Sequence, residues 1–256
     1  MTQRSFASLS AFARARLSLD ARLGLHLTLG AVVFMLCAFV FGHIAEDVLT
    51  MDKITILDIR VSRWFHAHTI PWLTRLMMLI SDIHSTFGIV ALSSLLAIYW
   101  IRIKAWDWLL ALILTVPFGM LLNLLLKAIF QRTRPGFDVP LLTPDGFSFP
   151  SGHTAAATLL YGLLAVWLIC TTSAWPKRVL IAMLASMCVG LVGLSRIYLG
   201  VHYLSDVLAA VAASCGWLAF SLMVVSVWRT RRSSGQHMAG TSNKGHDGCK
   251  SQIGLK

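Results

Sequence analysis

An all-α fold, a polytopic membrane helical bundle of about six transmembrane helices with short interfacial helices, is predicted by three features of the sequence. The chain is very apolar: 57% of its 256 residues are hydrophobic and 13% are charged, with a mean hydropathy of +0.72, whereas about a quarter of a soluble domain is charged. Its apolar residues collect in runs near the ~20 needed to cross a bilayer, at residues 25–45, 87–103, 108–126, 154–173, 179–194 and 207–228. Its 22 Lys and Arg residues divide fourteen to eight between alternate connections, the asymmetry that marks cytoplasmic against translocated loops. Six spans put both termini on the basic, cytoplasmic side.

Residues 1–24 read as a basic cytoplasmic arm, either an amphipathic surface helix or a flexible segment. The apolar run that follows exceeds the 7–15 residues of a cleaved signal core and has no small-x-small cleavage site, so it is expected to remain as the first span. Residues 46–86 are then extracytoplasmic. Their pieces 54–67 and 71–83 carry apolar residues at helical spacing, with Trp64, Phe65 and Trp72 suited to headgroup depth. His66, His68 and His84 lack the carboxylate pattern of a metal site and read as interfacial histidines, or as the border of a lipid entrance. The core domain is expected over 25–228, and residues 229–256, rich in Gly, Ser, Lys and His without periodicity, as a disordered basic cytoplasmic tail. Cys37, Cys170, Cys188 and Cys215 lie in spans and Cys249 in the tail, with no zinc or disulfide spacing. They read as packing residues.

Charge excludes one class of partner. Asp20, Asp107 and Asp247 fall on the basic face and the other acidic residues opposite, so the cytoplasmic face carries the whole net +11. This excess is juxtamembrane and has little aromatic interleaving, which points away from nucleic acid and toward anionic lipid.

Chemistry concentrates at the other face. The third span ends near Lys127, Arg132 and Arg134; the fourth begins at Pro150-Ser151-Gly152-His153; the fifth ends at Ser195-Arg196; the sixth begins with His202 and Asp206. Any of these alone reads simply, as a snorkelling cation, a capped helix start or a helix-face pair. Their gathering at consecutive outer junctions does not, because charge at membrane depth is costly and usually functional. Ser151 or a neighbour is expected to cap the fourth span, with Gly152 letting the backbone approach an anion. His202 and Asp206, four apart on one helix face, suit a carboxylate that holds one ring nitrogen protonated and leaves the other as nucleophile. Lys127, Arg134 and Arg196 can meet phosphoryl oxygens, and Pro135 fixes the loop.

The pattern Lys-x6-Arg-Pro, Pro-Ser-Gly-His, Ser-Arg-x5-His-x3-Asp, reproduced at Lys127, Arg134, Pro135, Pro150 to His153, Ser195, Arg196, His202 and Asp206, resembles the tripartite signature of the type 2 phosphatidic acid phosphatase superfamily. The motifs cover 127–206, and the six-span layout extends the likeness to about 25–228. The superfamily also includes soluble vanadium haloperoxidases; the spans here resemble its membrane branch. The resemblance implies a helical bundle, a phosphohistidine intermediate and no metal or other cofactor. It assigns attack on phosphorus to His202, orientation of His202 to Asp206, and proton transfer to the leaving oxygen and from water to His153. Lys127, Arg134, Ser151, Gly152 and Arg196 would bind the phosphate.

A site at the outer junctions suits a lipid phosphate whose tail stays in the bilayer. Undecaprenyl diphosphate is the first expectation for the substrate. Phosphatidic acid, phosphatidylglycerol phosphate and lipid A phosphate are alternatives, and a non-catalytic lipid-phosphate binding or transport protein is a reading from another class. The paired His202 and His153 disfavour the last, since binding needs cations but no nucleophile and acid. The expected location is the inner or plasma membrane with the site extracytoplasmic; oligomeric state is left open.

Overall fold

The computed structural model describes residues 19–137, 141–142 and 145–250, with backbone alone for 19–23 and 233–250. The arm before Leu19 lies outside the described residues. Among those described there are eight helices and no strand: α1 (Leu19–Leu49), α2 (Lys53–Ala67), α3 (Pro71–Ile83), α4 (Thr86–Arg102), α5 (Trp106–Phe130), α6 (Gly152–Thr171), α7 (Trp175–Tyr198) and α8 (Leu204–Lys250). The described residues divide into two units, 31–221 and 19–30 with 222–250. The expected domain boundaries at 24/25 and 228/229 fall inside α1 and α8. Helix α8 continues past the point where an irregular tail is expected, to Lys250.

Among the described residues five helices are long and apolar enough to cross a bilayer: Gly24–Leu49, Trp106–Phe130, Gly152–Thr171, Trp175–Tyr198 and Leu204–Arg232. The expected second span differs from its expectation. Helix α4 has 17 residues, at the short limit for crossing a ~30 Å core at 1.5 Å per residue, and joins α3 across a 54° bend. Six spans are reached only if the bent pair counts as one. Ser85 caps α4 by accepting from the Gly88 amide at 3.4 Å. A Cβ on Gly88 would run into the Ile83 carbonyl, so the chain can fold back this tightly only over a glycine.

Within the unit of residues 31–221, α6 is central and packs on α5 and α7, while α2 and α3 lean on α7. Its first three turns are buried along Ala155, Ala156, Ala157, Leu159, Leu160 and Leu163; small side chains let neighbouring helices approach without any aqueous driving force. Large apolar side chains such as Phe39, Phe87, Leu95 and Ile129 stay exposed, as a lipid-facing surface requires. Helix α2 is turned inside out in the same sense. Its buried face is polar, Thr55, Asp58 and Ser62, and Ile56, Leu57, Ile59 and Trp64 are exposed.

Candidate active site

Four junctions deliver the site residues. Lys127 occupies the last turn of α5, which Gln131 ends in the left-handed region with φ 45°. Arg132 and Arg134 follow in the loop to α6. Ser151, Gly152 and His153 open α6, Arg196 lies in the last turn of α7, and Asp206 in the first turn of α8. His202 sits in the tight α7–α8 connection, where Gly200 has φ 72° and a Cβ there would stand 2.9 Å from the Phe137 ring. The Ser151 amide donates to the Asp206 carbonyl at 3.1 Å, which ties the start of α6 to that of α8.

The His202 and Asp206 pair forms as the spacing predicts. Nδ1 of His202 stands 3.4 Å from Asp206 Oδ2, long for a hydrogen bond but usual in a site without substrate. On the other side of the ring, Arg134 Nη1 lies 3.4 Å from His202 Nε2. A guanidinium only donates, so Nε2 carries the lone pair and Nδ1 the proton. Both side chains are buried, His202 at 2% exposure. Burial pushes the His202 imidazole down to about 4, against the opposing pull of Asp206, so the ring is neutral and nucleophilic at ordinary pH.

The cations are placed by neutral groups. Lys127 Nζ donates to the Phe147 carbonyl at 2.6 Å. Arg134 donates to the carbonyls of Gly146 at 3.0 Å, Val201 at 2.9 Å and Asp145 at 3.1 Å, and burial lowers its pKa from the usual arginine value. Arg196, 4% exposed, donates Nη1 to the Ser81 hydroxyl and leaves a buried Nε without a protein partner. Among the described residues none of Lys127, Arg134 and Arg196 has a carboxylate within ion-pair distance.

Ser151 departs from its expectation. It is the N-cap residue of α6 but makes no side-chain cap bond; its hydroxyl pairs instead with Thr154 Oγ1 at 3.0 Å. The first amides of α6 therefore keep their hydrogens for an anion. A Cβ on Gly152 would reach only ordinary contact, 3.6 Å from Asn123 Oδ1 and 3.9 Å from Lys127 Cε, so glycine there keeps space open beside the lysine rather than relieving a clash. His153 has no protein hydrogen bond among the described residues and is partly exposed. Ser195, though part of the motif, spends its hydroxyl on the Val192 carbonyl at 2.7 Å.

Sequence reasoning missed the supports. Arg132 joins Asp206 to Asp58 of α2, at 2.6 Å and 2.8 Å, and Ser81 of α3 holds Arg196. A carboxylate between Thr55 and Ser62 on one face of α2 was the available signal, since a polar stripe on so apolar a helix has to meet something polar. The three histidines make separate contacts: His66 stacks on Phe137 with centroids 4.1 Å apart, His68 Nδ1 lies 2.8 Å from the Trp64 carbonyl, and His84 Nε2 lies 2.7 Å from the Tyr161 hydroxyl.

The chain is similar to proteins of known activity. The chain is 36% identical to phosphatidylglycerophosphatase B of Bacillus subtilis over 158 residues, 60% of this chain and 74% of that protein. It is 38% identical to phosphatidylglycerophosphatase B of Escherichia coli over 92 residues, covering 35% of this chain and 32% of that one. Among solved structures, the transmembrane PAP2-type phosphatidylglycerolphosphate phosphatase of Bacillus subtilis superposes with a TM-score of 0.63 at 31% identity, over 76% of this chain and 93% of that one. Aquifex aeolicus LpxE superposes with a TM-score of 0.53 at 25% identity, over 65% and 94%. The sequence profile of the PAP2 superfamily matches residues 105–232; the chain belongs to that superfamily and is a lipid phosphatase integral to the membrane.

Proposed function

We propose that this protein hydrolyses the phosphate monoester of a glycerophospholipid, with phosphatidylglycerol phosphate as the first candidate, through a phosphohistidine on His202. The observation that carries the mechanism is the set of three carboxylate-free cations around a histidine whose Nε2 bears the lone pair. His202 Nε2 attacks phosphorus, the bond from phosphorus to the lipid oxygen breaks, and His153 gives its proton to that oxygen. Water then passes a proton to His153 and attacks phosphorus, breaking the P–N bond and releasing inorganic phosphate. Lys127, Arg134, Arg196, the Ser151 side chain and the Gly152 amide hold the phosphoryl oxygens, fixed charge that needs no reorganisation as the reaction proceeds.

The named relatives support the glycerophospholipid substrate, an alternative at the level of sequence, rather than undecaprenyl diphosphate, the first expectation. A lipid-phosphate binding protein without turnover would have no use for the His202 and His153 pair. Purified protein in detergent, assayed against a panel of lipid phosphates, should show its highest kcat/KM on phosphatidylglycerol phosphate; a higher value on undecaprenyl diphosphate would reverse the substrate assignment. The three cations stand where metal-dependent phosphatases place metal ions, so turnover should persist in EDTA and be inhibited by vanadate. Loss in EDTA with recovery on one divalent ion would contradict the mechanism.

A further inference from the structure

Among the described residues, Arg132 is the site cation already neutralised by carboxylates, and its partners are arranged as a chain. Asp206 uses both oxygens: Oδ2 faces His202 Nδ1 and accepts from the Tyr203 amide at 2.9 Å, while Oδ1 accepts from Arg132 Nη1 at 2.6 Å. The other guanidinium nitrogen, Nη2, donates to Asp58 Oδ2 at 2.8 Å. Ser205 closes the group. Its hydroxyl accepts from Arg132 Nη1 at 2.7 Å and donates to Asp58, and its amide donates to Asp58 Oδ1 at 2.9 Å. The Tyr203 ring lies 4.3 Å from the guanidinium carbon. Asp58, Ser205 and Asp206 are fully buried.

We propose that Arg132 is a positioning residue for catalysis, which, braced by Asp58, fixes the Asp206 carboxylate on the His202 ring and limits its basicity. An oriented carboxylate must hold the Nδ1 proton without taking it when the ring becomes positively charged at phosphohistidine formation. Arg132 withdraws charge from the oxygen opposite His202, and because its Nη2 is held on Asp58, its Nη1 meets the Asp206 carboxylate from one fixed direction. Asp58 in turn stops Arg132 from swinging toward the phosphate, where it would join Lys127, Arg134 and Arg196. Helix α2, outside the motif region altogether, thereby belongs to the active centre. This inference rests on the nucleophilic role of His202.

The experiment measures kcat, KM and the pH dependence of kcat/KM on phosphatidylglycerol phosphate for R132K, R132Q and D58N, with H202A alongside. R132K keeps the charge but cannot bridge two carboxylates, so kcat should fall about 10- to 100-fold, the usual effect of losing a group that orients a ligating or catalytic side chain, with KM within about threefold. R132Q should in addition move the acid limb of kcat/KM upward by about one pH unit, because removing a neighbouring cation raises the pKa of the Asp206 and His202 pair. D58N should lower kcat less than R132Q, and combining the two should cost less than their product, since each acts through the other. A merely structural Arg132 would lower the melting temperature and leave the acid limb in place. If R132Q does not fold, R132K and D58N decide the matter on kcat alone. Wild-type kcat in R132K, or an unmoved acid limb in a folded R132Q, overturns the proposal while H202A is inactive; turnover by H202A would instead overturn the nucleophile.

Discussion

Because burial holds the His202 imidazole near 4 rather than near its ordinary 6.5, the nucleophile stays unprotonated through the range in which a free histidine charges. The sign is fixed by the direction of the shift: with a lowered pKa, acid inactivation by protonation of His202 begins about two pH units below where an exposed imidazole would cause it. The acid limb of kcat/KM, corrected for the second ionisation of the substrate phosphate near about 6, should fall near pH 4; a limb at 6.5 would show that His202 is not the titrating nucleophile or is not desolvated. His202→Ala should abolish phosphate release while the protein still elutes as a folded species, and Asp206→Asn should keep weak activity because orientation, not covalency, is lost. A label transferred from phosphate-labelled lipid to wild-type protein in an alkaline quench, and absent from His202→Ala, would identify the intermediate. Turnover by His202→Ala at the wild-type rate would sink this mechanism.

At the scale of elements, the site hangs on how helices begin and end. The α3–α4 bend carries Ser81, which holds Arg196, and His84, which meets Tyr161, and it closes over Gly88, where a side chain would strike the Ile83 carbonyl. Gly88→Ala should therefore open the bend, lower the thermal midpoint by an amount corresponding to about 1–3 kcal/mol, and weaken vanadate inhibition several-fold as Arg196 loses its support; unchanged stability and inhibition would mean the bend does not set the arginine. This is also where the sequence stops being readable. The residues we assign to phosphate binding and to the nucleophile sit in motifs of fixed spacing, so Lys127, Arg134, Gly152, Arg196, His202 and Asp206 announce themselves, and spans α1, α5, α6 and α7 follow from apolar length alone. Arg132 pairs with Asp58 across 74 positions and Arg196 with Ser81 across 115, and no local pattern reports such a distance. Ser151 or a neighbour is the cap that spacing suggests, since N-cap serines usually bond a first-turn amide, and here Thr154 competes for the Ser151 hydroxyl within one turn. Hydropathy reports the lengths of α3 and α4 but not the 54° angle between them.

For the whole molecule, the decisive quantity is the division of charge between two membrane faces. On a six-span reading of the sequence, fourteen of the 22 Lys and Arg residues belong to the side of the termini, while Lys127, His153, Arg196, His202 and Asp206, at or beside the ends of α5, α6, α7 and α8, belong to the other. Basic residues are retained on the cytoplasmic side during insertion, so we place both termini in the cytoplasm and the site on the extracytoplasmic face, acting on lipid phosphates of the outer leaflet of that membrane. Asp145 offers a reporter beside the chemistry, since it is exposed and its carbonyl accepts from Arg134. With Cys37, Cys170, Cys188, Cys215 and Cys249 replaced, Asp145→Cys should react in intact cells with a membrane-impermeant thiol reagent, whereas Ser234→Cys should react only after lysis. Reaction of Ser234→Cys in intact cells with Asp145→Cys protected would put the site in the cytoplasm. The cytoplasmic leaflet would then supply the substrate, and the catalytic assignments, which depend on distances within the site and not on the face that carries it, would stand unchanged.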